Sequence, residues 1–369
     1  MTHALVIGVS AYDHLPSVGA GPFGLSQLGS TAIGAYRFAV WLRDHYRNPD
    51  APLATIRLLL SPSAAEISAG APEGRSADRD RVRAAVLDWQ SDNTGNRTGV
   101  SVLYAAGHGT MVSHQDSYVL LQDFAKDRLV LDYSLDVGSV YRGLAGPRFP
   151  ATQFSFVDAC QIRPKAFATF SNIGAGVGLP EEWAGPDVRA ASVFFSASPG
   201  TPAWGRADAT GTIFSTALLD CLGGLGVDAV LGADDAFRIT GASLLRALEE
   251  QVTERARQFG EVQHVTGGGT GRACVLHRFE EPPAFPYEIR LAPDSARPLA
   301  RADIWDGDRN SRLVEGERFD SNPASWRLPV GLNSLDVIVP PGHDRFRTRS
   351  GVALLVQARQ GGPKVVSVE

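Results

Sequence analysis

Apolar residues fall along the first three quarters of this chain in short concentrated runs, separated by stretches with helical spacing. The runs at 4–9, 56–60, 100–106, 152–157, 192–196 and 272–277 are four to eight residues long and rich in Val, Leu, Ile and Phe. They predict strands buried on both faces. Between them, Phe38, Trp41, Leu42 and His45 recur at helical spacing and predict a helix to about Tyr46, capped by Ser30 or Thr31. Further helices are expected at 80–90, 137–144, 214–222 and 244–259. Strands that alternate with helices in this way make βαβ units, so the fold class is α/β with a mostly parallel sheet flanked by helices. Segments 117–123 and 128–131 read as a hairpin, and 10–30, 61–79 and 163–190 as loops rich in Gly, Pro, Ser or charge.

The pattern changes after residue 281. The run Glu280-Glu281-Pro282-Pro283-Ala284-Phe285-Pro286 predicts a stiff linker, centred on 282–286. Beyond it, six short apolar stretches between Tyr287 and Val368 are punctuated by Gly, Pro, Asn and Asp. That is the signature of a small all-β, sandwich-like domain over 287–369. We expect it to serve docking or regulation. Residues 1–281 form the larger domain.

Composition narrows the classes. The chain has 369 residues, 44% of them hydrophobic and 20% charged, with a net charge of −5. No basic block or basic–aromatic stripe points to nucleic acid. No run approaches the roughly 18 apolar residues that span a bilayer, and the apolar N-terminal run is too short for a secretory signal. Three cysteines, an odd number without a spacing pattern, argue against a disulfide scaffold. A reduced, cytoplasmic protein without nucleic-acid or membrane partners is the expectation. No zinc-type ligand spacing occurs, and no cofactor is implied. The string Gly19-Ala20-Gly21-Pro22-Phe23-Gly24 matches a dinucleotide fingerprint in letters only, because it neither directly follows a strand nor opens a helix.

Two strands end in reactive side chains. Residues 100–106 lead into Gly107-His108-Gly109, and residues 152–157 into Asp158-Ala159-Cys160. If these strands are parallel neighbours, imidazole and thiol emerge together beyond the carboxyl ends of the strands, where open α/β sheets place their active sites. A thiol with an imidazole beside it is a nucleophile with its base. Gly109 allows close backbone approach to a ligand, and the Gly109 and Cys160 amides are the candidate oxyanion donors. Cys221 falls within a predicted helix and Cys274 within a predicted strand, so both read as small core residues.

On these two motifs, residues 4–280 resemble the caspase-like cysteine peptidases, the group of caspases, metacaspases and bacterial relatives. Cys160 follows His108 by 52 residues, in keeping with the roughly 50-residue separation in caspases. Ser196-Ala197-Ser198-Pro199-Gly200 with Trp204 resembles the segment lining the family's substrate groove, and residues 35–42 its first helix. The resemblance implies a Cys160/His108 dyad that hydrolyses protein or peptide substrates without a third catalytic residue. It implies Asp158, Ser196, Ala197, Ser198 and Trp204 as substrate-binding residues. An aspartate two residues before the cysteine, as in metacaspases and other prokaryotic members, implies cleavage after Arg or Lys, since a pocket carboxylate attracts a cation. A second pocket acid found in those relatives corresponds here to Gly34. The 163–190 loop lies where the family's zymogens are cut, so Arg163, Lys165 and Arg189 are candidate processing sites, for this enzyme or for an upstream activating protease. The resemblance further implies a bacterial stress, antiviral-defence or cell-death role. Some metacaspases depend on calcium, but no calcium site is evident in this sequence. A catalytically silent scaffold with the same fold, and a thiol-dependent acyl or peptidyl transferase, remain open readings.

Overall fold

The computed structural model describes every residue except 18, 20, 112–116, 128, 163–173, 182–186, 207, 229–236, 343–344, 358–362 and 369. The chain divides into two compact units. One comprises Met1–Leu222 and Ile239–Arg278, the other Gly223–Arg238 and Phe279–Glu369.

The first unit runs, in chain order, β1 (Thr2–Val9), α1 (Thr31–Asp44), β2 (Leu53–Ser61), α2 (Ala64–Ser68), α3 (Arg79–Asn93), β3 (Val100–Ala106), β4 (Gly109–Met111), β5 (Ser117–Leu120), β6 (Ser134–Asp136), α4 (Val137–Gly143), β7 (Thr152–Asp158), β8 (Ala190–Phe195), α5 (Ile213–Asp220), β9 (Arg238–Thr240), α6 (Gly241–Gln258), β10 (Thr266–Gly269) and β11 (Val275–Arg278). Its main sheet has the order β10-β8-β7-β3-β1-β2. The pairs β2–β1, β1–β3, β3–β7 and β7–β8 are parallel, and only β10 joins antiparallel.

Both faces of this sheet are covered, which explains why apolar residues are concentrated in its strands without strict alternation. On one face, Phe38 of α1 stacks on Tyr104 of β3 at 4.8 Å and meets Phe156 of β7 at 5.3 Å. Alternate residues Leu103 and Ala105 join Val82, Val86 and Trp89 of α3 and Val137 and Val140 of α4 in a second core. Asp78 caps α3 by accepting from the Arg81 amide, and Asp136 caps α4 by accepting from the Ser139 amide.

The structure corrects several expected elements. Where a hairpin between 117–123 and 128–131 is expected, β5 pairs with β4 and β6 and Val130–Tyr133 forms a 3-10 turn; residue 128 lies outside the described residues. The strand expected at 272–277 is β11, which pairs with β9 and not with the main sheet. The sheet edge is instead β10, Thr266-Gly267-Gly268-Gly269, which has no apolar periodicity to mark it. Glycine is needed there because a Cβ at Gly269 would lie 2.1 Å from the Ala191 carbonyl oxygen. The loop expected over 61–79 contains α2, closed by a capping box between Ser63 and Glu66.

The second unit contains β12 (Ala284–Ala292), β13 (Arg301–Asp306), β14 (Arg312–Arg318), β15 (Ala324–Pro329), β16 (Gly331–Ile338), β17 (Arg349–Val356) and β18 (Lys364–Ser367). They form the sheets β15-β12-β18 and β14-β13-β16-β17. Ile289 and Leu291 of the first sheet share a core with Ile304, Leu335 and Leu354 of the second. Val227 belongs to this core, so segment 223–238 goes with the second unit despite its place in the sequence. The expected linker also ends early, because β12 starts at Ala284 and includes Pro286. Proline is tolerated there since β18 pairs with β12 only from Ile289 onward, which leaves no ladder partner on that side for the missing N–H.

Candidate functional site

The register between β3 and β7 sets the site. Ala106 lies opposite Asp158, so His108 and Cys160 each stand two residues beyond the same rung. The Gly107 amide donates to the Asp158 carbonyl oxygen at 3.3 Å, which keeps the two chains together past the sheet. Gly109 then lies directly on the cysteine turn. A Cβ at Gly109 would be 2.2 Å from the Cys160 carbonyl oxygen and 3.0 Å from its nitrogen, so only glycine fits.

Cys160 is half-buried, and its Sγ lies 3.2 Å from the donating Ala203 amide and 3.6 Å from the Ala203 carbonyl. Burial pushes the thiol above its ordinary value, while the Ala203 N–H acts in the opposite direction. His108 is also half-buried. Its Nε2 lies 2.7 Å from the Ser26 carbonyl oxygen, an acceptor only, so Nε2 carries the proton and Nδ1 is the basic nitrogen. Burial lowers the imidazole below its ordinary value, opposed by the Ser26 carbonyl. Both shifts favour neutral forms.

Asp158 departs most from its expected place. It is 1% exposed. Its Oδ2 accepts from the Tyr104 hydroxyl at 3.0 Å and from Thr212 Oγ1 at 2.5 Å. Burial raises this carboxyl from 3.8 to about 6, against hydrogen bonds from Thr212, Tyr104 and Ser196. In this structure its side chain is enclosed at the strand end by these hydroxyls. At Gly34 a Cβ would lie 2.6 Å from Ser215 Oγ, so α1 and α5 approach closely there.

The other expected site residues divide. Ser196 and Ala197 are fully buried, which removes both from the substrate surface. Ser196 Oγ instead accepts from the Ala159 amide at 3.0 Å and lies 3.2 Å from the Ala159 carbonyl oxygen, bracing the cysteine turn. Ser198 donates to the His264 carbonyl at 3.3 Å. Trp204 is half-buried, and its amide donates to Gln263 Oε1 at 3.0 Å. It borders a pocket of about 340 Å³ with Arg206, Asp208, Phe259 and Glu261. Arg206 is paired there with Asp208 at 2.6 Å and lies over the Phe259 ring.

Among the candidate processing residues, Arg163 and Lys165 lie outside the described residues. Arg189 is a correction. It is 2% exposed, bonds to Asp187, to the Tyr141 carbonyl and to Gln153 Oε1, and lies over the Tyr141 ring. A guanidinium held this way is a structural tie and cannot enter a protease cleft while folded.

Sequence reasoning missed the groups around His108, Cys160 and Asp158: the Ser26 carbonyl, Tyr12, Gln27, Ala203, Tyr104 and Thr212. Main-chain acceptors carry no side-chain signal, and the rest come from distant segments. Among the described residues, no cluster of three or more His, Cys, Asp or Glu is placed to hold a metal ion, and no helix is long and apolar enough to cross a membrane.

No protein-family model matches the chain, and no curated protein matches it. Among solved structures, the chain is similar to the crystal structure of caspase-1 from Spodoptera frugiperda. The identity is 13% and the TM-score 0.45, over 76% of this chain and 90% of that chain. A likeness at this level carries no functional assignment.

Proposed function

We propose that the protein is a caspase-like cysteine endopeptidase with Cys160 as nucleophile and His108 as general base and acid. The observation that carries this reading is the common rung of β3 and β7, which brings the two side chains to one sheet edge with Gly109 against the cysteine turn. As the thiol sulfur attacks the scissile carbonyl carbon, its proton passes to His108 Nδ1. The Gly109 and Cys160 amides hold the oxyanion that forms. His108 then gives that proton to the leaving amine, the C–N bond breaks, and a thioester remains on Cys160. Water attacks the thioester, with His108 taking its proton and returning it to the sulfur.

For specificity we propose Arg or Lys at the position before the cleaved bond. The Asp158 carboxylate at the strand end supports this reading, as does Glu261 in the pocket beside Trp204, where Asp208 is already paired with Arg206. A substrate cation reaching Asp158 has to displace the Thr212 hydroxyl that now covers it. Cleavage within 163–190, at Arg163 or Lys165, is the proposed activation step, and replacing both with Ala should abolish processing. We assign the second unit to docking or regulation, and the protein to a bacterial defence or cell-death role.

The test compares fluorogenic peptides carrying Arg, Lys or Asp before the reporter, with the wild type and Cys160→Ala. Cleavage after Arg or Lys that is lost in the variant is expected. Cleavage after Asp alone would retain the peptidase and remove the specificity. Turnover that survives in Cys160→Ala would remove the nucleophile.

A further inference from the structure

Two hydrogen-bonding groups of His108, its main-chain amide and its Nε2, end on the 10–30 loop that follows β1, while its carbonyl accepts from the Leu120 amide. The His108 main-chain amide donates to the Tyr12 hydroxyl at 2.8 Å. The Tyr12 ring, 3% exposed, lies against the imidazole with ring centres 5.1 Å apart. At the other end, Nε2–H donates to the carbonyl oxygen of Ser26, the residue just before Gln27.

Gln27 joins these two supports. Its Oε1 accepts from the Tyr12 amide at 2.6 Å. Its Nε2 donates to the Tyr12 carbonyl at 2.6 Å and to the Leu15 carbonyl at 2.7 Å. The side-chain amide therefore bonds both main-chain groups of Tyr12. Main-chain bonds from the Gln27 amide to the Pro16 carbonyl, and from the Leu28 amide to the Ser10 carbonyl, fix the same turn. The Gln27 amide can be satisfied this fully in only one orientation, since the nitrogen must face two carbonyls and the oxygen an N–H.

We propose that Tyr12 and Gln27 are positioning residues that hold His108 in its Nε2–H tautomer with Nδ1 directed to the reaction. Tyr12 fixes the histidine's backbone and ring plane. Gln27, by fixing Tyr12 and the turn that bears Ser26, sets the carbonyl that selects the tautomer. Positioning of this kind affects proton transfer more than substrate binding, because neither residue belongs to the groove around Trp204. The inference rests on the peptidase reading for its kinetic consequence only; the tautomer can be observed without turnover.

The experiment uses the full chain labelled with ¹⁵N-histidine, with His108→Gln to assign the His108 signal, and two variants. Tyr12→Phe keeps the ring and removes the acceptor. Gln27→Glu keeps the size and removes both donations to carbonyls. The wild type should show a single Nε2–H tautomer at His108, and both variants a mixture. On an Arg peptide, kcat should fall about tenfold or more with KM changed less than about twofold. Folded variants with the wild-type spectrum, and with kcat within about twofold, overturn the inference while the peptidase reading stands. A changed tautomer in a protein that cleaves no peptide even after cleavage within 163–190 supports the positioning role and removes the peptidase reading.

Discussion

Replacing Asp158 with Asn tests whether the environment around this carboxyl has been read correctly. Both Tyr104 and Thr212 donate to Oδ2, so an Asn oxygen in that place keeps both bonds. The amide nitrogen then faces the Ser196 side, where a hydroxyl can accept. What the substitution removes is the cost of a buried charge. The carboxyl rises from 3.8 to about 6 on folding, and a shift of about two units corresponds to roughly 3 kcal/mol. Because the folded value is the higher one, this stability is fully present below about pH 4 and is lost as the pH rises through about 6. Asp158→Asn should therefore be more stable than the wild type by up to about 3 kcal/mol near pH 8, with most of the difference gone near pH 4. Urea unfolding at a series of pH values measures this directly. A variant less stable than the wild type by about 1 kcal/mol or more near pH 8 would refute the reasoning, since the three hydroxyls would then outweigh burial. In the same variant, cleavage after Arg should fall if substrate reaches this carboxylate.

Other expectations follow from the same geometry. Burial lowers His108 and raises Cys160, so kcat/KM should be bell-shaped, with the acid limb below the ordinary histidine value and the alkaline limb above the ordinary thiol value. A stopped-rate pH profile checks this, and an acid limb above about pH 7 would contradict it. Gly34→Ala puts a methyl group onto Ser215 and should cost about 1–3 kcal/mol by thermal unfolding. Arg189→Ala breaks bonds to Asp187, Tyr141 and Gln153 and should cost about 2–4 kcal/mol, while brief trypsin treatment of the folded wild type should leave the bond after Arg189 intact. Gly109→Ala, which overlaps the Cys160 carbonyl, should abolish activity, read with the fluorogenic Arg peptide.

The parts of the fold visible in the sequence are those whose burial is two-sided. β1, β3 and β7 read as strands because sheet and helices exclude water from both faces, and His108 and Cys160 stood out because each ends such a run. β10 was hidden because an edge strand of glycines is selected by close backbone approach and not by burial of side chains. β14 was hidden because most of its residues are exposed. The enclosure of Asp158 was hidden for a different reason. Its hydroxyl partners Tyr104 and Thr212 are each 54 residues away in sequence, so nothing local distinguishes an enclosed carboxyl from one that lines a pocket. Arg189 likewise looked like an accessible loop residue until Tyr141 and Gln153 were seen to enclose it.

The most direct test of the central claim is covalent labelling by a peptidyl-arginine chloromethyl ketone, read by intact mass and peptide mapping in the wild type, His108→Ala and Cys160→Ala. The account predicts one adduct, on Cys160, that forms far more slowly in His108→Ala and not at all in Cys160→Ala. Equal labelling of Cys160 with and without His108, or an adduct that persists on Cys221 or Cys274 alone, would contradict it.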